Sequence, residues 1–240
     1  DFHTGNGLYA DMNAIRRDEE LDNLHSIYVD QWDWERVISR EQRSIDYLKD
    51  AVNGLVNAVA ETSSRLHTKY PKVDIKIDTD VSFITSQELA DLYPDLTPKD
   101  REHAYVKEHP TTFIFQIGGK LKDGVPHDHR APDYDDWELN GDLLFWHEPL
   151  QCALELSSMG IRVDKDSLIS QLEKANANDR LELPYHQQVV KEELPLTIGG
   201  GIGQSRMCML LLGKAHVGEV QVSLWDKETL DACKDKIFLL

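Results

Sequence analysis

Cysteine is scarce in this chain. Cys152, Cys208 and Cys233 are scattered, odd in number and form no C-x-x-C. That excludes a disulfide framework and a paired-thiol metal or redox motif, and free thiols predict a reducing, cytoplasmic setting. Long apolar runs are also missing. No stretch approaches the roughly 18 apolar residues of a membrane span, and no signal peptide is visible. Basic residues are few, 26 against 43 acidic, for a net charge of −17. Phosphate affinity rests on Lys and Arg, so this balance disfavours nonspecific binding to nucleic acid or to an anionic membrane. There is no Walker A loop, no G-x-S-x-G and no Cys/His pair arranged for nucleophilic catalysis. With 40% hydrophobic residues in 240, there is enough apolar material for a real core.

The pattern that is present is mixed. Residues 25–35 alternate apolar and polar and predict a strand, with Gln31, Asp33 and Glu35 on one face and Asp30, Trp32 and Trp34 on the other. Ile45, Leu48, Val52, Leu55, Val56 and Val59 recur at helical spacing and predict a long amphipathic helix from Val37 to about Leu66. Thr85 with Glu88, Thr97-Pro98 with Asp100, and Asp164 mark three further helix starts, and a helix near 185–190 is also expected. Strands are predicted at Val73–Ile77, 112–117, 143–146, within 151–163, and at Val220–Leu224. The mixed order predicts a single α+β domain over residues 1–240 with a mainly antiparallel sheet flanked by helices.

Four clusters carry chemistry. Ile198 to Arg206 holds four glycines in five positions, then an arginine and an apolar run. It reads as a loop entering a buried helix, whose first-turn N–H groups and guanidinium suit a phosphate. The other reading is a turn joining two packed elements. Gln31 and Asp33, polar among tryptophans, suit a small polar ligand such as an α-amino group; a solvated face is the alternative. Asp133-Tyr134-Asp135-Asp136 beside Arg130 suits a zwitterion or a metal, against an acidic surface turn. His127-Asp128-His129 lacks a third ligand at recognisable spacing. Asp142 and Glu155 suit Mg²⁺, or are ordinary acidic residues.

Several segments together resemble a known family. Arg16 in Ala-Ile-Arg-Arg-Asp-Glu resembles motif 2 of class II aminoacyl-tRNA synthetases, and Gly199 to Arg206 resembles motif 3. His25–Glu35, Arg130–Trp137, Leu139–Asp142, Glu155–Asp164 and Ile198–Arg206 resemble the A-type asparagine synthetases, the aspartate–ammonia ligases. The likeness runs from about Gly7 to Trp225. It implies a class II synthetase-like fold, a homodimer, and conversion of L-aspartate, ammonia and ATP to asparagine through a β-aspartyl-adenylate. An aspartyl- or asparaginyl-tRNA synthetase core is the alternative.

The resemblance also implies roles. Arg16 bridges the α-phosphate and the attacking carboxylate. Arg206 holds the distal phosphates, with Gly201 and Gly203 against the nucleotide. Gln31, Asp33, Asp135 and Ser158 orient the aspartate in a pocket shaped by Tyr134, and Asp142 and Glu155 carry Mg²⁺. The chain begins at Asp1 without a methionine, and family members have more sequence before this point, so an N-terminal part of the domain is expected to be absent here. Residues 137–140 are shorter than the family pattern, where a loop stands, and a mobile lid left out of this sequence is expected between them.

Overall fold

The computed structural model describes residues 3–240. One seven-stranded sheet organises the chain. Its strands are β1 (Gly7–Ile15), β2 (Tyr28–Val37), β3 (Ser82–Thr85), β4 (Thr111–Phe115), β5 (Asp135–His147), β6 (Cys152–Arg162) and β7 (Thr197–Gly203), in the order β1-β2-β7-β6-β5-β4-β3. Only β3 and β4 are parallel; every other neighbouring pair is antiparallel, as the sequence predicts.

The long helix, α1 (Ile45–Lys69), covers one face. It starts later than its periodicity predicts because Val37 still belongs to β2 and the chain turns before Ser44, whose hydroxyl accepts from the Tyr47 N–H. Leu48, Val52, Val56 and Val59 are buried along one stripe against Phe113, Leu143, Phe145, Leu154 and Met159. On the other face, α2 (Ser86–Leu92) and α3 (Pro98–Glu108) cover the β3–β5 end through Ile84, Leu89, Val106, Ile114 and Leu144. Both start at the predicted caps: Thr85 with Glu88 closes a full capping box, and Thr97 accepts from the Asp100 N–H. Further along are α4 (Lys165–Lys174), capped by Asp164, α5 (Pro184–Val190), α6 (Gln204–Leu212) and α7 (Lys227–Cys233). No helix among the described residues is long and apolar enough to cross a membrane.

Five expectations about strands are corrected. Val73–Ile77 and Val220–Leu224 alternate like strands but pair with nothing. The Ile75 carbonyl accepts from the Ser63 hydroxyl and the Val73 N–H donates to Tyr70, so local partners replace a ladder. Val222 and Leu224 are exposed. The glycine stretch is not a loop: it is β7, between β2 and β6. The strand predicted at 143–146 starts eight residues earlier, at Asp135, and passes through Trp137 and Leu139 with an irregular register between Asp135 and Asn140. The strand predicted at 112–117 stops at Phe115, because Gln116 takes a positive φ of 62°.

Glycine is required in β7 because its neighbours close over the backbone. A Cβ on Gly199 would collide with the Glu35 carboxylate and the Trp34 carbonyl and lie 2.6 Å from Arg162 Nη2. We expect Gly199→Ala to lower stability by about 3 kcal/mol, the upper range for overpacking. Gly119→Ala, in open space, should stay near wild type. Urea unfolding with an unchanged m value checks both.

Candidate active site

The uncovered part of the second sheet face, over β2, β7 and β6, floors a cleft of about 530 Å³. Register builds that floor. Asp33 pairs with Gly201, Gly201 with Ser158, and Ser158 with Asp142, so four strands place these residues in one transverse row. Gln31 lies one step along the same face, opposite Gly203. Because Gly201 has no side chain, the Gln31 amide and the Asp33 carboxylate reach over it. A Cβ there would lie 2.9 Å from Asp33 Oδ1 and 3.2 Å from Gln31 Oε1. Burial lifts the Asp33 carboxyl above the usual range, opposed by the nearby Arg162 charge.

Glu155 joins this face although it is three residues from Ser158. A register shift opposes Leu143 to Ser157 but Leu144 to Glu155, leaving Leu156 as the extra residue. Such a bulge reverses the alternation locally, so Leu154 and Leu156 point into the core together with Met159 and Ile161.

The acidic run after Arg130 is dispersed. Asp133 accepts from His186 at 2.9 Å and from Arg180 at 3.0 Å, and Asp136 pairs with Arg43. Only Tyr134 and Asp135 turn to the cleft. Buried Gln171 on α4 fixes them from behind: its amide donates to the Pro132 and Asp135 carbonyls and accepts from the Trp137 N–H. The metal reading of this run therefore fails. Among the described residues no group of three or more His, Cys, Asp or Glu side chains could hold a metal ion. His127 is buried on Glu102 at 3.1 Å, and His129 faces the cleft.

Arg162 anchors this end. It pairs with Asp135, donates to Glu35 Oε2 at 2.8 Å and to the Tyr134 hydroxyl at 3.0 Å, and lies over the Tyr134 ring. Burial opposes its charge, but Asp135 and Glu35 hold its pKa above the ordinary arginine value. Asp135 is itself raised by burial, with Arg162 opposing.

At the other end lie Arg16, His25 and Arg206. Arg16 follows β1, half-exposed, with Glu19 Oε2 at 3.1 Å. Arg206, in the first turn of α6, donates to the Glu155 carbonyl at 3.0 Å and to His25 Nε2 at 3.0 Å. The expectation of free N–H groups at this helix start is corrected. Asp30, from the far face of β2, accepts from the Ser205 N–H at 3.1 Å and from its hydroxyl at 2.8 Å. A carboxylate already faces the positive helix end, which leaves the Arg206 guanidinium as the cationic group there.

Asp142 and Glu155 stand beside one another at the cleft's edge. Burial and the Glu155 charge raise the Asp142 carboxyl to about 7, although Arg130 pairs with it. Two mutually repelling carboxylates are the donor chemistry that a hard cation neutralises, so the pair fits Mg²⁺.

Ten of the eleven predicted site residues line one cleft: Arg16, Gln31, Asp33, Tyr134, Asp135, Glu155, Ser158, Gly201, Gly203 and Arg206. Asp142 adjoins it through Arg130. Sequence reasoning missed Arg162 and His25. Arg162 shares the parity of Ser158 in β6, and that alternation is the signal that could have found it.

Comparison with known proteins bears on this arrangement. The family model for aspartate-ammonia ligase matches residues 1–237. The aspartate–ammonia ligase of Pediococcus pentosaceus is 57% identical over 235 residues, 98% of this chain and 70% of that protein. That of Levilactobacillus brevis is 58% identical over 233 residues, again 70% of its length. Among solved structures, an Entamoeba histolytica asparaginyl-tRNA synthetase in complex with asparaginyl-adenylate aligns with a TM-score of 0.64 at 15% identity, over 90% of this chain and 51% of that one. A Pyrococcus horikoshii asparaginyl-tRNA synthetase aligns at 0.60 and 13%, over 88% of this chain and 50% of its own. At such identities the shared property is the class II synthetase core fold.

Proposed function

The chain belongs to the aspartate–ammonia ligase family, and from that premise we propose how its cleft makes L-asparagine from L-aspartate, ammonia and ATP. The observation that carries this reading is the cleft's polarity. One end offers buried acids around a single fixed guanidinium, and the other offers two arginines.

An amino-acid zwitterion suits the first end. Arg162 faces the α-carboxylate, while Asp33, Gln31 and Asp135 accept from the α-ammonium and Ser158 steers the side chain. The β-carboxylate then points toward the arginines. Its oxygen attacks the α-phosphorus of ATP as the bond to pyrophosphate breaks. Arg16 leaves Glu19 to bridge the attacking carboxylate and the α-phosphate, and Arg206 holds the leaving phosphates against Gly201 and Gly203. Asp142 and Glu155 hold Mg²⁺, which when bound supplies positive charge to the phosphate oxygens. In the second step the ammonia lone pair forms the C–N bond at the β-carbonyl carbon. AMP departs with the C–O electron pair, and the nitrogen gives up its extra proton. The same reading includes a homodimer, a cytoplasmic setting suited to three free thiols, and no nucleic-acid partner.

The test is to incubate the purified protein with ATP, Mg²⁺, aspartate and ammonium, without tRNA, and to follow AMP and asparagine. Equal yields of both are expected. Pyrophosphate exchange without asparagine, with aminoacyl transfer only on adding tRNA, would overturn the reading in favour of a synthetase core.

A further inference from the structure

Arg206 is held by a contact that its phosphate role does not require. A guanidinium has donors and no acceptor, so the 3.0 Å contact from Arg206 Nη2 makes His25 Nε2 the acceptor. His25 Nδ1 then carries the ring proton, and it faces both oxygens of Asp22 at 2.8 and 2.9 Å. Asp22 is pinned in turn. Its Oδ1 accepts from the Leu24 and His25 N–H groups, both at 2.7 Å, and its own N–H donates to the His25 carbonyl. Between them, Asn23 ties the turn to the segment after α6, donating to the Ala215 carbonyl at 2.7 Å and accepting from the Val217 N–H at 2.8 Å. The turn at 22–25 is thus braced against the segment that follows the helix carrying Arg206.

We propose that Asp22 and His25 are positioning residues: the carboxylate sets the imidazole tautomer, and the imidazole holds the Arg206 guanidinium extended into the cleft for the distal phosphates of a nucleoside triphosphate. The proposal rests on the phosphate role of Arg206. One guanidinium N–H is committed to His25 and another to the Glu155 carbonyl, which leaves the remaining edge pointed at the ligand. A long, rotamer-rich side chain is thereby ordered before ATP arrives, which lowers the cost of ordering it on binding.

The test measures aspartate-dependent ATP–pyrophosphate exchange in the purified protein and four variants. His25→Leu should raise the KM for ATP about tenfold, the order set by one charge-assisted hydrogen bond, with the KM for aspartate unchanged. His25→Gln, whose amide oxygen reaches the Nε2 position, should restore it to within about twofold. Asp22→Asn, which keeps a side-chain oxygen for the turn N–H groups but removes the charge facing His25, should fall between the two. In the wild type, ¹⁵N-histidine spectra should show His25 as the Nδ1–H tautomer. An unaltered ATP KM in His25→Leu, a glutamine variant as impaired as the leucine one, or an Nε2–H tautomer would each overturn the relay. Arg206→Ala separates the two levels. If it keeps wild-type exchange, the phosphate role of Arg206 falls; if it loses exchange while His25→Leu does not, only the relay falls.

Discussion

Arg162→Met should abolish asparagine formation and destabilise the fold by about 3–5 kcal/mol, the range for breaking a buried ion pair by removing one partner. The side chain is 9% exposed, and its loss strands the carboxylates of Asp135 and Glu35 without their shared partner. Arg130 also acts on the Asp135 carboxyl, but among the described residues Arg162 is the one cation that pairs with both. The effect has a pH signature. Burial already raises the Asp135 carboxyl, and Arg162 is the group that opposes that rise. Without Arg162 the folded-state pKa climbs further above its unfolded value, so the acid form is the one the variant tolerates. The penalty should be small at acid pH and grow as pH rises through the folded pKa. Urea unfolding at about pH 5 and about pH 8 reads this directly. A deficit that is equal at both pH values would mean that lost packing, rather than stranded charge, dominates. Adding Asp135→Asn should recover part of the stability at neutral pH and none of the activity, since the partner proposed for the substrate's carboxylate is still gone.

The second large effect is expected at Arg16. Arg16→Ala should slow adenylate formation by about 10²–10³-fold, the loss typical of one preorganised transition-state donor. Stability should barely move: the side chain is 53% exposed and its one ion pair is with Glu19, a surface-type contact of little weight. Aspartate-dependent pyrophosphate exchange, run beside a thermal melt, separates the two readouts. Exchange within a few-fold of wild type would remove Arg16 from the transition state and leave Arg206 and Arg130 as the cations there.

Legibility varied with how local the determining physics is. Caps at Thr85, Thr97 and Asp164 are short-range hydrogen bonds, and each marked its helix start correctly in the sequence. The α1 stripe was equally plain, because one face of 25 residues repeats at helical spacing. Alternation misled wherever no partner strand existed: Val73–Ile77 and Val220–Leu224 have the period but no ladder. The glycines of β7 misled in the opposite sense, since glycine-rich segments usually turn, and only the crowding by Glu35, Trp34 and Met159 shows why a strand here must lack side chains. At the site, Gln31 and Asp33 were legible as polar residues on one strand face. Arg162 was not, because its importance lies in Glu35 and Asp135, which are 127 and 27 residues away. Asp30 capping α6 is likewise a contact across 175 residues that no window can see.

The strand order has a consequence for how the chain is made. β7 comes last in chain order among the seven strands, yet it sits between β2 and β6 near the middle of the sheet. At ribosomal rates of about 5–20 residues per second, β1 and β2 wait roughly 10–30 s before the strand that joins them to the rest emerges. During that interval the hairpin has an open edge on β2 and β6 has another, and no floor of the cleft exists. Pairings this distant in sequence close slowly. The nascent chain is therefore a natural client for chaperones that shield unpaired edges. Substitutions that delay β7 docking, Gly199→Ala among them, should reduce soluble yield in the cell by more than their equilibrium stability alone accounts for.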